Sequence, residues 1–145
     1  MKFSEMIYSR PDIQAVKLAF ENLVERLVAA ESYEQARDVF MEKEEQEKHI
    51  QTQETLAHLR HTIDTRDKFY DDEMNFWNSA MPELQEYAQK WTMAMLNSPF
   101  RADFEKEFGS LMFLNAEIEL KTFAPEIIPE LQQENQLVTE YEKLI

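Results

Sequence analysis

The sequence of 145 residues is poorest in cysteine and glycine, and each shortage excludes a class of protein. Gly109 is its one glycine, whereas β-rich folds and phosphate-binding loops need glycine at turns, bulges and close backbone approaches. Cysteine is absent, which excludes disulfides and thiolate chemistry and is typical of a reducing compartment. The sequence therefore predicts neither a glycine-dependent nucleotide-binding fold nor a disulfide-stabilised one.

Basic residues and long apolar runs are also scarce. The chain carries 15 Lys and Arg against 29 Asp and Glu, for a formal net charge of −14. Phosphate backbones and anionic lipids repel such a surface, so we expect no nucleic-acid binding and no membrane docking. The N-terminal "MKFSEMIYSRPDIQ" lacks the apolar stretch of a secretory signal, and no run approaches the length of a membrane span. These absences predict a soluble cytoplasmic protein.

The residues that are abundant favour helices, with apolar side chains at steps of three and four. Ser9 with Asp12 predicts a capping box for the first helix, with Pro11 in its first turn. Ser32, followed three residues later by Gln35, predicts the start of a second helix. The apolar stripe of the first helix consists of Ile13, Val16, Phe20, Leu23, Val24 and Leu27. Such stripes predict helices that bury one face against each other.

Further capping residues and breakers divide the rest of the chain. We expect Asp64 or Thr65 to cap a third, aromatic-rich helix, and Pro82 to bend or locally break it. Ser98 is the predicted N-cap of a fourth helix, which Gly109 ends. The segment "FAPEIIPE" separates two more helices, and we expect the last to run off the end of the chain. The sequence thus predicts an all-α bundle of about six mostly antiparallel helices with short connections.

The candidate chemistry lies in "ETLAHLRHTIDTRDKFYDDE", where Glu54, His58 and His61 fall on one face of a helix. They could hold one metal ion weakly, as in a small metal-carboxylate bundle. No histidine is followed by Glu and none is paired at a spacing of four, which excludes H-E-x-x-H. The competing interpretation is that both imidazoles bond to carboxylates or backbone at a helix end. Local ion pairs there would come from Arg60, Asp64, Arg66 and Asp67. We therefore predict no catalytic, cofactor-binding or metal residue in this chain.

Some apolar residues fall outside the main stripes, which predicts a covered surface. These residues are Met93, Leu96, Met112, Phe113 and Leu120. Helices that are apolar on more than one face contact two neighbours, and a bundle of this size offers few such positions. The polar segment "EKEEQEKH" is interpreted as a solvated helical stretch, with an exposed acidic surface for a partner as the alternative.

Several ordered blocks of the sequence resemble one family. They are "MKFSEMIYSRPDIQAVKLAFENLVERL", "LRHTIDTRDKFYDDE", "SPFRADFEKEFG" and "LKTFAPEIIPELQQENQLVTEYEKLI". Over residues 1–145 the chain looks like the N-terminal part of oligoendopeptidase F family proteins, which are zinc metallopeptidases related to thimet oligopeptidase. The resemblance implies a helical N-terminal lobe that faces a catalytic lobe across a deep channel, and hydrolysis of short peptides in the cytoplasm.

The same resemblance implies that this chain is inactive alone. The zinc ligands and general base of the family lie in an H-E-x-x-H helix and a further downstream Glu, so zinc belongs to the parent enzyme. The expected partner is the missing C-terminal catalytic lobe, since the chain ends inside an apolar helical pattern at Leu144 and Ile145. A homodimer through exposed apolar surface is a second expectation. The alternative function is a self-standing helical protein-interaction module without enzymatic activity.

Overall fold

A computed structural model describes residues 2–144, and within this range the fold is all-α. Its helices are α1 (Ile13–Ala29), α2 (Tyr33–Ile63), α3 (Lys68–Leu96), α4 (Arg101–Phe108), α5 (Leu111–Thr122) and α6 (Ile128–Glu142). Short 3₁₀ turns occupy Phe3–Glu5 and Pro125–Ile127. The predicted bundle of about six helices is confirmed. The last helix ends at Glu142, earlier than predicted, and Ile145 lies outside the described residues.

Helix α3 lies at the centre and contacts four of the other helices. The first three helices run up, down and up, so α1 and α3 are parallel and Lys17 Nζ reaches Glu83 Oε2 at 2.6 Å. Helices α5 and α6 follow one another along α3 and both run antiparallel to it. Gln89 of α3 bonds the Phe123 carbonyl at the end of α5, and Asn78 lies farther toward the start of α3, against α6. The predicted antiparallel packing therefore holds for most pairs.

Two clusters of buried apolar side chains hold the helices together. The larger one joins α1, α2, α4 and α5 to the C-terminal half of α3, and the smaller one lies nearer the start of α3. The large cluster contains Phe20, Leu23, Leu27, Ala36, Val39, Phe40, Trp91, Met95, Phe104 and Phe113. The small cluster contains Ile50, Ala57, Trp77 and Leu84. Phe104, on the short helix α4, is fully buried, so one aromatic ring anchors that helix.

The break predicted at Pro82 is wrong, because α3 runs without interruption through that residue. A proline has no N–H, so the carbonyl four residues earlier, on Asn78, loses its helical donor. Asn135 of α6 supplies a replacement, donating its Nδ2–H to the Asn78 oxygen at 3.1 Å. Gln132 likewise donates to the carbonyl of Ser79 at 3.0 Å. Side chains of α6 thus satisfy the backbone at the proline and leave the helix continuous.

The start of α1 is misplaced in the prediction, whereas that of α2 is confirmed. Asp12, rather than Ser9, is the N-cap of α1, and its carboxylate accepts from two backbone N–H groups of the first turn. The helix therefore begins after Pro11 instead of including it. Ser32 caps α2 as predicted, since its hydroxyl oxygen accepts from the Gln35 N–H at 3.2 Å.

Two later caps also lie a few residues from their predicted positions. The helix boundary predicted at Asp64 and Thr65 is confirmed, since α2 ends at Ile63 and Asp64 is its C-cap, but the N-cap of α3 is Asp67, whose carboxylate accepts from the first free N–H groups of that helix. The hydroxyl oxygen of Ser98 accepts from the Phe100 N–H at 3.2 Å, inside the turn that precedes α4. Ser98 is therefore a turn residue and not the N-cap, since a short polar side chain satisfies either kind of site.

Gly109 ends α4 as predicted, but in a conformation other than the usual left-handed helical one. Its φ is 89° and its ψ is 159°, a region that is essentially restricted to glycine. Its N–H still donates to the Glu105 carbonyl at 2.8 Å, which closes the last turn. The chain then leaves in an extended direction and starts α5 two residues later.

Candidate functional site

The structure does not bring Glu54, His58 and His61 together as a metal site. All three lie on α2, where Glu54 and His58 are half-buried and His61 is fully buried. Across residues 2–144, no group of three or more His, Asp or Glu side chains is placed to hold a metal ion. Their spacing predicted one helix face for all three, but the side chain of His61 is enclosed in the bundle whereas Glu54 and His58 are partly exposed.

His61 lies against an ion pair that joins α3 to the end of α6. Its Nε2 is 3.5 Å from Asp71 Oδ1, too long for a good hydrogen bond, and both ring nitrogens are buried without a partner among the described residues. Asp71 is 2.8 Å from Lys143 Nζ. The hydrogen bond from Lys143 lowers the pKa of Asp71 and raises the pKa of Lys143 itself. The sequence predicted a hydrogen bond from this imidazole to a carboxylate. The structure instead places the imidazole beside Asp71 at a distance too long for a good hydrogen bond.

Arg60 holds the N-terminal segment against the bundle. Its guanidinium donates to the Met6 and Phe3 carbonyls and, at 3.1 Å, to the hydroxyl oxygen of Tyr70. The expected ion pairs with Asp64 and the neighbouring charged residues do not form in the described part of the chain. Asp64 accepts instead from a backbone N–H of the α2–α3 turn. Arg60 therefore faces the segment that precedes α1.

A buried carboxylate, on Glu73, organises the same segment. Tyr8 donates its hydroxyl to Glu73 Oε2 at 2.7 Å, and Arg10 donates its Nε–H to the same oxygen at 2.8 Å. Trp77 donates its indole N–H to the Tyr8 oxygen at 3.0 Å. Burial and the bond to Glu73 raise the pKa of Tyr8. These groups satisfy one another, so we assign the cluster to structure rather than to catalysis.

The sequence analysis missed the Glu73 cluster, although a signal was present. Glu73 lies four residues before Trp77, so both share the inward face of an aromatic-rich helix. A carboxylate on such a face needs a hydrogen-bonding partner. That partner comes from Tyr8 and Arg10, more than 60 residues away in sequence, which local patterns do not reveal.

An open cleft lies between α2 and α6, with α3 and the side chain of Phe20 at its base. Its volume is about 270 Å³. Its apolar lining includes Ile50, Met81, Pro82, Leu84, Ala88 and Leu131. Gln51 and Gln85 lie among these residues, as do Lys43 and Glu47, which form an ion pair with each other. An apolar base with a few polar groups suits an apolar side chain flanked by peptide groups.

Comparison with known families gives one match, to the peptidase M3 N-terminal domain over residues 3–123. This range covers most of the chain, from the first 3₁₀ turn to the end of α5. No curated protein sequence matches the chain. Among the described residues, no helix has the length and apolar character needed to cross a membrane.

Solved structures of much longer proteins match nearly the whole chain. A protein described as an oligoendopeptidase F is 38% identical with a TM-score of 0.94, and Pz peptidase A with an inhibitor is 35% identical with a TM-score of 0.93. An oligoendopeptidase F from Bacillus anthracis str. Ames is 34% identical with a TM-score of 0.94. Each match covers 97% of this chain, but only 25–26% of the other.

The helical order and the match to solved structures agree with the resemblance noted in the sequence. The chain spans about a quarter of the length of these peptidases. It contains no H-E-x-x-H sequence, and no described group of side chains fits a metal ion. The chain therefore belongs to the peptidase M3 family, in which it corresponds to the N-terminal region of an oligoendopeptidase F-like peptidase.

Proposed function

We propose that this chain is the non-catalytic N-terminal region of a zinc metallopeptidase that hydrolyses short peptides. The observation that carries the proposal is the extent of the structural match. Nearly the whole chain superposes on peptidases four times its length, with TM-scores of 0.93–0.94. The catalytic residues of the whole enzyme would then lie in the remaining part, since the H-E-x-x-H sequence is absent here.

The residues of this chain do not fit the zinc ion of such an enzyme. A catalytic zinc needs three protein ligands around one open position. The described residues offer no group of three His, Asp or Glu side chains with that arrangement, and His61 is enclosed beside an ion pair. Zinc would therefore be held by the catalytic part, and this chain would act on substrate only through the shape and polarity of its surface.

The cleft between α2 and α6 supports a role in the wall of the substrate channel. Its apolar base can take a side chain of a peptide, and the amide groups of Gln51 and Gln85 can both donate to and accept from peptide bonds. Both glutamine side chains are exposed, so they are available to a ligand. We place the whole enzyme in the cytoplasm, because a chain without cysteine suits a reducing compartment.

The test compares three proteins on a quenched fluorescent peptide in the presence of zinc. They are this chain, the remaining part of the matched oligoendopeptidase F, and a fusion in which this chain replaces the N-terminal region of that enzyme. We expect hydrolysis by the fusion and none by this chain. Hydrolysis by the purified chain alone would contradict the proposal, as would a fusion no more active than the remaining part.

A pair of matched substitutions in the fusion tests the channel wall. Ala88→Trp fills the cleft from α3, whereas Val28→Trp places the same side chain on the exposed surface of α1. We expect Ala88→Trp to raise KM about tenfold with a smaller change in kcat, because it removes substrate binding rather than chemistry. Equal KM values for the two variants would show that the cleft is not part of the substrate channel.

A further inference from the structure

The largest group of exposed apolar side chains lies from α5 onward. A smaller group, Phe3, Ile7, Ile63 and Phe69, lines an open pocket beside the N-terminal segment, and the other exposed apolar residues are scattered, which is normal for a protein surface. From α5 onward the exposed apolar residues form a series, with 37–84% of each side chain's surface accessible. The series consists of Leu111, Leu114, Ile118, Ile127, Leu137, Val138, Tyr141 and Leu144. We call these eight residues the outer face.

The outer face lies opposite the contacts that α5 and α6 make with the bundle. Phe113 of α5 is buried in the large core cluster, and Thr139 of α6 is buried where Asn78 donates to its hydroxyl oxygen at 2.8 Å. Leu111 and Leu114 are three residues apart, as helix neighbours on one side are, and Leu137 and Tyr141 are four apart. Both helices are therefore apolar on two sides, and only one side has a partner within residues 2–144.

The size of the outer face argues against a second copy of this chain as its occupant. The 27 residues of α5 and α6 give a length of about 40 Å at about 1.5 Å per residue. With a width of about 10 Å the face measures roughly 400 Å², whereas a stable complex needs about 800 Å² per partner. A net charge of −14 on each copy also opposes self-association. A covalently joined partner needs less area, because its effective concentration is high.

We infer that the catalytic part of the whole peptidase packs on the outer face of α5 and α6. The inference rests on the proposed function, and it specifies which surface of this chain joins the two parts. Acidic residues border the face on α6, where Glu130, Glu134 and Glu140 are exposed. The partner surface therefore has an apolar centre with basic side chains around it, and the exposed side of α1 that carries Leu18 stays in solvent.

The test measures thermal unfolding of the fusion, in which this chain replaces the N-terminal region of the matched oligoendopeptidase F and is covalently joined to the catalytic part. Leu114→Glu and Leu137→Glu each place a charge in the outer face, and Leu18→Glu makes the same change on the exposed side of α1. All three sites are exposed, so circular dichroism of each variant alone should match the unsubstituted chain. We expect each outer-face variant to lower the Tm of the fusion by a few degrees without changing the Tm of this chain alone, and Leu18→Glu to change neither.

Three results would overturn the inference. They are an equal loss from Leu18→Glu, a Tm of the fusion that both outer-face variants leave unchanged, and the same loss of Tm in this chain alone. Sedimentation equilibrium of the chain alone adds a fourth, a dimer that Leu114→Glu dissociates. Hydrolysis is measured separately, so a fusion whose Tm depends on the outer face but that cleaves no peptide refutes the proposed activity alone.

Discussion

Asn135 donates its side-chain amide to the carbonyl oxygen of Asn78 at 3.1 Å, across the turn of α3 in which Pro82 supplies no N–H. A donor on α6 thus replaces the backbone donor that the proline removes from α3. The pairing explains two facts together. It keeps α3 continuous over 29 residues, and it fixes the position of α6 along that helix.

The first prediction concerns this replacement. Asn135→Ala leaves the Asn78 carbonyl without a donor in a nearly buried position, so we expect a loss of about 1–3 kcal/mol in the free energy of unfolding. Pro82→Ala restores a backbone N–H at the same turn. In that background, Asn135→Ala should cost about 1 kcal/mol less, because Asn78 keeps its own helical bond. Urea unfolding of the four proteins measures this coupling, and equal costs in both backgrounds would refute the replacement.

The second prediction concerns the ion pair between Asp71 and Lys143. The pKa of Asp71 is lowered by its hydrogen bond from Lys143, so this carboxylate stabilises the fold above the unfolded pKa of about 3.9 and loses that contribution as pH falls through the folded value. The pKa of Lys143 is raised, so its contribution is complete below about 10.4 and is lost as pH rises through the folded value. The ion pair between Asp71 and Lys143 therefore stabilises the fold at neutral pH.

We expect Asp71→Asn to lower the free energy of unfolding at pH 7 by about 1 kcal/mol or less, since both side chains remain partly exposed. The difference in free energy of unfolding between this variant and the unsubstituted chain should shrink as pH falls below about 4. Asp38→Asn is the matched control, because Asp38 is exposed and is not among the residues that form ion pairs within residues 2–144. If this difference in free energy of unfolding is as large at pH 3 as at pH 7, the effect of the substitution comes from packing and not from charge.

The third prediction concerns the buried carboxylate of Glu73. Tyr8→Phe removes one donor to Glu73 and also the acceptor of the Trp77 indole N–H. We expect a loss of about 1–3 kcal/mol in the free energy of unfolding and a shift in tryptophan emission, because two buried polar groups lose partners. The control is Tyr141→Phe on the outer face, where the hydroxyl has no partner among the described residues and the change should be silent.

Ultraviolet titration supplies a second readout for Tyr8→Phe. The pKa of Tyr8 is raised by burial and by the bond to Glu73, and that of Tyr33 is raised to about 12. Tyr8→Phe should therefore remove one of the tyrosines that ionise late. If the late step in the titration is the same in Tyr8→Phe and in the unsubstituted chain, Tyr8 does not donate to Glu73 in solution.

Local patterns predicted those parts of the fold that depend on neighbours in sequence. The cap at Ser32, the terminating glycine and the apolar stripes each require residues within one or two helical turns, and all three were predicted from sequence. The continuity of α3 at Pro82 was not predictable in this way, because its donors lie more than 50 residues later. Burial of His61 was missed for a similar reason, since the chain end that carries Lys143 packs beside it.

The last prediction concerns Gly109, where the chain changes direction between α4 and α5. A Cβ added there would meet no atom within 4 Å, so any cost of Gly109→Ala comes from the backbone alone. At φ 89° and ψ 159°, a side chain is strained by about 1–3 kcal/mol. Ser110→Ala is the neighbouring control, because Ser110 has an ordinary helical conformation and its hydroxyl makes no cap bond. Thermal unfolding should show a lower Tm for Gly109→Ala only. A Tm equal to that of the control would mean that the junction relaxes to a conformation open to every residue, and that the glycine does not fix the direction in which α5 leaves.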